Sequence, residues 1–148
     1  MAESKSSGVF SVEEKAAIKQ YRDEQKAQAK REKDEAGKLQ DLNDVLAAIE
    51  NLPQPDKHLA EEIHRIVMAT APQLNPRTWY GFPAYYLDGK LITFFQYASK
   101  FKARYGTLGF ADNAKLDDGN MWPVAFAVIE IDATTERRIA ELVLKALG

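Results

Sequence analysis

The stretch Tyr85-Tyr86-Leu87-Asp88-Gly89-Lys90-Leu91-Ile92-Thr93-Phe94-Phe95 leaves this chain few folds to choose from. Asp-Gly between two apolar runs is a strong signal for a two-residue hairpin, because both central residues can take positive φ there. A two-residue loop pairs Leu87 with Lys90, Tyr86 with Leu91 and Tyr85 with Ile92. One face then carries Tyr85, Leu87, Ile92 and Phe94. The other carries Tyr86, Leu91, Thr93, Phe95 and Tyr97. A hairpin with one wet face alternates apolar with polar. Here both faces are apolar, so a helix, a subunit or a ligand is expected to cover the second.

The surrounding pattern supplies the rest of the sheet. Phe101, Ala103 and Tyr105 alternate with Lys102 and Arg104, which predicts a strand over 101–108. LDDGN at 116–120 reads as a turn. Another strand is expected from Trp122 or Val124 to Ile131.

The first half of the chain and its end have helical periodicity instead. Ser11 followed by Glu14 is a capping box, predicting a helix from Val12. It extends to Lys38 with Gly37 as a break, after a disordered start at 1–10. This arm is rich in Ala, Lys, Glu and Gln, with no wide apolar stripe to dock it. It is read as a solvated helix, with a partner-docking arm as the alternative. A second helix spans Leu39 to Asn51 and buries Leu42, Val45, Leu46 and Ile49. A third is capped by Asp56, buries Leu59, Ile63, Ile66, Val67 and Thr70, and stops at Pro72. A last helix is capped by Asp132, with Ile139, Leu142, Val143, Ala146 and Leu147 on its inner stripe. Helices, then strands, then a helix indicate α+β: an antiparallel sheet of four or more strands packed by helices, with a long N-terminal arm. The 148 residues suit one domain over 38–148 with an extension at 1–37.

Composition excludes several chemistries. There is no cysteine, so a disulfide framework, a thiolate zinc site and a cysteine nucleophile are excluded. Ser99-Lys100-Phe101-Lys102 matches S-x-x-K but lacks the partner motifs and reads as a turn serine beside lysines. Glu61 and His64 match half of a di-iron motif with no second copy. His58, Glu61 and His64 are expected in solvent. The acids at 112–118 do not fit an EF-hand loop. KARYGTLGF does not fit the RNA-reader pattern, so nucleic acid is not an expected partner.

Aromatic residues crowd one place. Residues 78–110 hold 11 of the 15 aromatic residues and four basic residues against one acid. Residues 89–110 alone carry a net charge of +4 in a chain whose net charge is −2. Trp79, Tyr80 and Trp122 stand at strand entrances beside Gly81, Pro83 and Pro123, where loops reach the surface. Rings at such mouths, with bases nearby, are the makings of a binding cleft. The expected lining is Trp79, Tyr80, Lys100, Lys102, Arg104, Tyr105 and Trp122, with Lys102 and Arg104 projecting from one strand face. The expected ligand is a small anion or an acidic peptide or protein. No paired acid and base indicates catalysis.

Trp79-Tyr80-Gly81-Phe82-Pro83-Ala84, shortly after Ala71-Pro72, resembles the signature of the YdhG-like bacterial domains. Asp88-Gly89-Lys90 and Lys100-Phe101-Lys102 fall where that family has its hairpin and its basic strand. The resemblance covers roughly residues 39–148. It implies a compact α+β domain with helices on an antiparallel sheet, and it assigns no catalytic residue. It also brings in iron, since some members are connected with frataxin-like iron delivery; otherwise no cofactor is expected. A third reading is an interaction domain acting through an apolar sheet face, for which a homodimer is one arrangement. No span is apolar enough for a membrane, and a cytoplasmic location is expected.

Overall fold

A computed structural model describes residues 11–29 and 35–148. The expected disorder of 1–10 and the stretch of predicted helix at 30–34 lie outside these residues. The elements run α1 (Val12–Ala29), α2 (Glu35–Glu50), α3 (Asp56–Thr70), β1 (Asn75–Trp79), β2 (Phe82–Leu87), β3 (Lys90–Gln96), a 3₁₀ turn (Ala98–Phe101), β4 (Gly106–Phe110), β5 (Ala125–Val128) and α4 (Ala133–Leu147). The five strands form an antiparallel meander in sequence order, β1-β2-β3-β4-β5. The α+β expectation holds. Among the described residues no helix is long and apolar enough to cross a membrane.

Caps set two of the helix starts. Ser11 and Glu14 form the capping box: the Glu14 N–H donates to Ser11 Oγ and the Ser11 N–H to Glu14 Oε1, both at 3.0 Å. Asp132 Oδ1 accepts the Thr135 N–H at 2.8 Å to start α4. The third start differs from expectation. Gln54 Oε1 accepts the His58 N–H at 3.1 Å. Asp56 is the first helical residue, and its carboxylate instead accepts the Ser99 N–H at 3.1 Å, tying α3 to the turn after β3. Gly37, expected as a break, lies buried inside the first turns of α2, so the expected boundary at 37/38 falls within that helix.

One face of the sheet meets α3 and α4 and makes the main core. Ile63, Ile66 and Val67 of α3 and Ile139, Val143 and Ala146 of α4 pack with Tyr85, Phe95, Leu108 and Val128. Val45 and Ile49 of α2 complete this cluster. The buried line of α2 is Asp41, Val45 and Ile49, whereas Leu46, expected inside, is exposed. Asp41 is ion-paired to Arg77 of β1 at 3.6 Å, which settles a buried carboxylate next to a cation.

The Asp88–Gly89 turn forms as expected, with both residues at positive φ and pairs Leu87–Lys90 and Tyr86–Leu91. Beyond them the register slips. Tyr85 pairs with Thr93, so Ile92 is the extra residue of a β-bulge. A one-residue slip reverses every later side chain. Phe95 therefore joins Tyr85 on the helix face, and Phe94 lies with Ala84 and Tyr86 on the second face, the reverse of the sequence reading. The bulge sinks Thr93 into the core, where its hydroxyl donates to the Gly109 carbonyl at 2.7 Å.

The predicted strand over 101–108 is overturned in its first half. Ala98–Phe101 is a 3₁₀ turn, Lys102 takes left-handed backbone (φ 53°), and β4 begins only at Gly106. The alternation of Phe101, Ala103 and Tyr105 with Lys102 and Arg104 is thus not strand periodicity. Similarly, β5 is limited to Ala125–Val128.

Candidate functional site

The site is built on the turn joining β1 to β2. Tyr80 and Gly81 are its two central residues, with φ of 52° and 80°. Such a turn matches the twist of the strands it joins, and glycine is at home in it. A tyrosine is not: a bulky residue in the left-handed region is strained and needs support from its surroundings. That support comes from α1 and from Lys100 of the 3₁₀ turn.

Two polar groups of the turn's backbone are engaged by side chains of α1 and the 3₁₀ turn. The Gly81 N–H donates to the Glu24 carboxylate at 2.8 Å. The Tyr80 carbonyl accepts from Lys100 Nζ, which also donates to Gln20 Oε1. The Tyr21 ring stacks on the Tyr80 ring, with centroids 4.4 Å apart and planes 14° apart. Trp79 meets the edge of Tyr80 at 4.8 Å and packs on Phe94 at 4.4 Å. Lys100 Nζ also lies 4.7 Å over the Phe82 ring. Gln20 comes so close that a Cβ at position 81 would lie 2.3 Å from its Nε2.

Beside this clasp is a hollow of about 270 Å³, lined by Glu14, Ala17 and Ile18 of α1 and by Trp79, Tyr80, Phe82, Gln96 and Phe101 of the domain. Trp79 and Phe82 pair across β1 and β2 and share the second sheet face with Ala84 and Phe94. So α1 covers one end of the face that the hairpin pattern required to be covered. The solvated reading of the arm is replaced by a docked helix.

The electrostatics follow from this burial. Loss of solvent raises the Glu24 carboxyl above its ordinary value of 4.5, against the opposing effects of hydrogen bonds from Thr78, Gly81 and Tyr80 and of the Lys100 charge. Loss of solvent also lowers the Lys100 ammonium, with Glu24 opposing the shift. At the rim, Lys102 Nζ lies 3.5 Å from Glu13 Oε2, and the lysine side chain is 83% exposed. A hydrogen bond at the helix start and then the Lys102 charge hold Glu13 below its ordinary value.

The expected lining is therefore only partly assembled. Trp79, Tyr80 and Lys100 come together, and Lys102 reaches their rim. Lys102 and Arg104 do not project from a strand face, because no strand exists there. Arg104 lies 5.1 Å over the ring of Tyr105, and both are exposed. Trp122 leads into β5, at the opposite edge of the sheet, and packs on the helix-side core. Of the structural positions, Gly81 and Gly89 are turn residues with positive φ, Asp88 shares the second turn, and Phe82 and Pro83 start β2 buried. Pro123 is exposed before β5.

His64 corrects another expectation. It is half-buried, with Nδ1 2.8 Å from the Tyr85 hydroxyl, and burial lowers its pKa. His58 and Glu61 are exposed as expected. Among the described residues no three His, Asp or Glu side chains gather as metal ligands.

Sequence reasoning missed Gln20, Tyr21 and Glu24. Their signal was present: Glu13, Ala17, Gln20 and Glu24 recur at i, i+4, i+7 and i+11, one helical stripe. The stripe is mostly polar, so a search for apolar periodicity passes over it. No family model, curated protein or solved structure matches this chain.

Proposed function

We propose that the protein is a binding module whose cleft at the Tyr80–Gly81 turn recognises a helical segment bearing a tyrosine and glutamates on one face, and that α1 is the segment it holds in this chain. One observation carries the reading. The rings and bases of the cleft are met by complementary groups on a single helix: Tyr21 on Tyr80, Gln20 on Lys100, Glu24 on the Gly81 N–H and Glu13 on Lys102. Rings supply contact area, and charged or amide groups fix the register. This narrows the ligand class from anions in general to a helical peptide that turns a tyrosine and carboxylates to the cleft. Lys100, the most enclosed base of the cleft, is directed at a carbonyl and an amide of the chain itself.

The test uses the full chain with a weakened arm, Tyr21→Ala with Glu24→Ala. A fluorescently labelled peptide of residues 11–29 should bind this variant and bind the unaltered chain at least tenfold more weakly, because there α1 competes for the cleft. Adding Trp79→Ala to the weakened chain should abolish the binding. Equal binding to both chains, or binding indifferent to Trp79, would overturn the reading.

A further inference from the structure

The two edges of the sheet are finished differently. At β1, Pro76 interrupts the ladder groups, Arg77 carries charge, and α2 packs alongside with Asp41 on Arg77. Proline, charge and a covering helix are the devices that keep an edge from pairing. Strand β5, Ala125-Phe126-Ala127-Val128, has none of them, and its pairing with β4 runs without a register shift. Among the described residues no strand lies on its outer side.

The hydrogen-bond parity shows which groups are open. The Phe110 N–H donates to the Val124 carbonyl at 2.8 Å, in register with Leu108–Phe126 and Gly106–Val128. In an antiparallel pair, backbone groups turn alternately toward and away from the neighbouring strand. Val124, Phe126 and Val128 therefore point their groups to β4, whereas Ala125 and Ala127 point theirs outward. The large apolar residues at the two ends of this edge are exposed, Val124 by 46% and Ile129 by 73%. Along it runs a groove of about 460 Å³, with Leu108, Phe126, Val128 and Leu142 as its apolar walls and Glu130 and Arg138 at its polar margin.

We propose that β5 is a self-pairing edge, at which two copies of this chain join antiparallel about a two-fold axis through Ala127 and continue the sheet from one copy into the other. The register follows from the parity. Centred on Ala127, the shared ladder uses the outward groups of Ala125 and Ala127, sets Ala125 opposite the partner's Ile129 just past the strand, and needs no donor from Pro123, which has none. Phe126 then lies opposite the partner's Val128, so the two grooves merge into one apolar strip. At each end, Val124 of one copy comes opposite the partner's Glu130 and Ile129 opposite the partner's Ala125, on the other sheet face. Charge is complementary as well. The Arg138 guanidinium lies 5.8 Å over the Phe126 ring, which brings it toward the partner's Glu130, two residues beyond the partner's Val128. Symmetry makes that contact twice.

Sedimentation equilibrium of the full chain tests this, from about 10 µM to about 1 mM, the concentration range in which small interfaces associate. The expected result is a shift from 16.6 kDa toward twice that mass. Ala127→Lys places a charge on the two-fold axis at an exposed position and should weaken association at least tenfold. Ala127→Pro removes an outward N–H that β4 does not use, and should do the same while circular dichroism stays that of the parent. A chain that remains monomeric at about 1 mM, or variants that both associate like the parent, would overturn the proposal.

Discussion

Helices α4 and α1 both dock on the sheet, by opposite chemistry. The first buries an aliphatic line, Ile139, Val143 and Ala146, and is tied to α3 by Arg65, whose Nη2 lies 2.8 Å from Glu136 Oε1. The second buries only Ala17 among its described side chains and is held by a ring stack, a carboxylate on a backbone N–H and a lysine shared between two oxygens. Apolar burial is non-directional and scales with area. Hydrogen bonds and stacks are directional, and their net contribution is smaller because water competes for the same groups. So α4 belongs to the stability of the domain, whereas α1 belongs to a local equilibrium that can open while the core stays closed.

The contrast is broken most forcefully by truncating one residue in each helix. Ile139→Ala should destabilise the whole chain by about 2–5 kcal/mol, the range for a buried isoleucine. Tyr21→Ala should weaken docking by about 1 kcal/mol, the scale of an aromatic pair. Its effect should appear as faster amide exchange in α1 with core amides unchanged. Equal losses of global stability from the two would erase the distinction.

A subtler difference is in pH dependence. The Glu24 pKa is raised when docked, so the docked state binds the proton more tightly than the open state. Docking is therefore strengthened as pH falls from neutral into the range just above 4.5, and that gain is lost as pH rises through the docked value. Glu13 has the opposite sign. Its pKa is lowered, so its contribution is present above its ordinary value and is lost as pH falls through the docked value. Docking should peak at mildly acidic pH, readable in the indole N–H signal of Trp79 by NMR. Glu24→Gln keeps an acceptor for Gly81 and should flatten the acidic rise. A rise that persists in the variant would assign it to another group.

The smallest effect is expected at the rim. Lys102→Ala removes an exposed ion pair of the kind that is screened and contributes little. No readable change in α1 exchange should follow, whereas Lys100→Ala should accelerate it. The reverse order would show that the rim, not the turn, holds the helix.

How much of this was legible follows from where each signal resides. The Asp88–Gly89 turn, the Ser11 and Asp132 caps and the inner stripe of α4 are written within a few residues of themselves, and all were read. The bulge at Ile92 was not, because it reflects what Thr93 finds across the sheet, the Gly109 carbonyl. The first half of the strand expected over 101–108 had the right alternation, but Asp56 draws the Ser99 N–H from 43 residues away and the chain coils there instead, with the strand starting at Gly106. At the site, Trp79, Tyr80 and Lys100 stood out by residue type. Their counterparts on α1 did not, since a polar stripe on a charged helix looks the same whether it faces water or a matching cleft.

The Tyr80–Gly81 clasp has a consequence for how the chain comes to life. Its bonds join Glu24 to a residue 57 positions later and Gln20 to one 80 positions later. The strands it grips are joined by tight turns and can assemble from near neighbours, whereas contacts this distant in sequence form slowly. On the ribosome α1 emerges before any part of its seat exists. Until Gly81 has left the exit tunnel, Tyr21 and Glu24 have nothing to hold, and Gln20 waits longer, for Lys100. Of the described helices, the first to be made waits for a seat that is made after it.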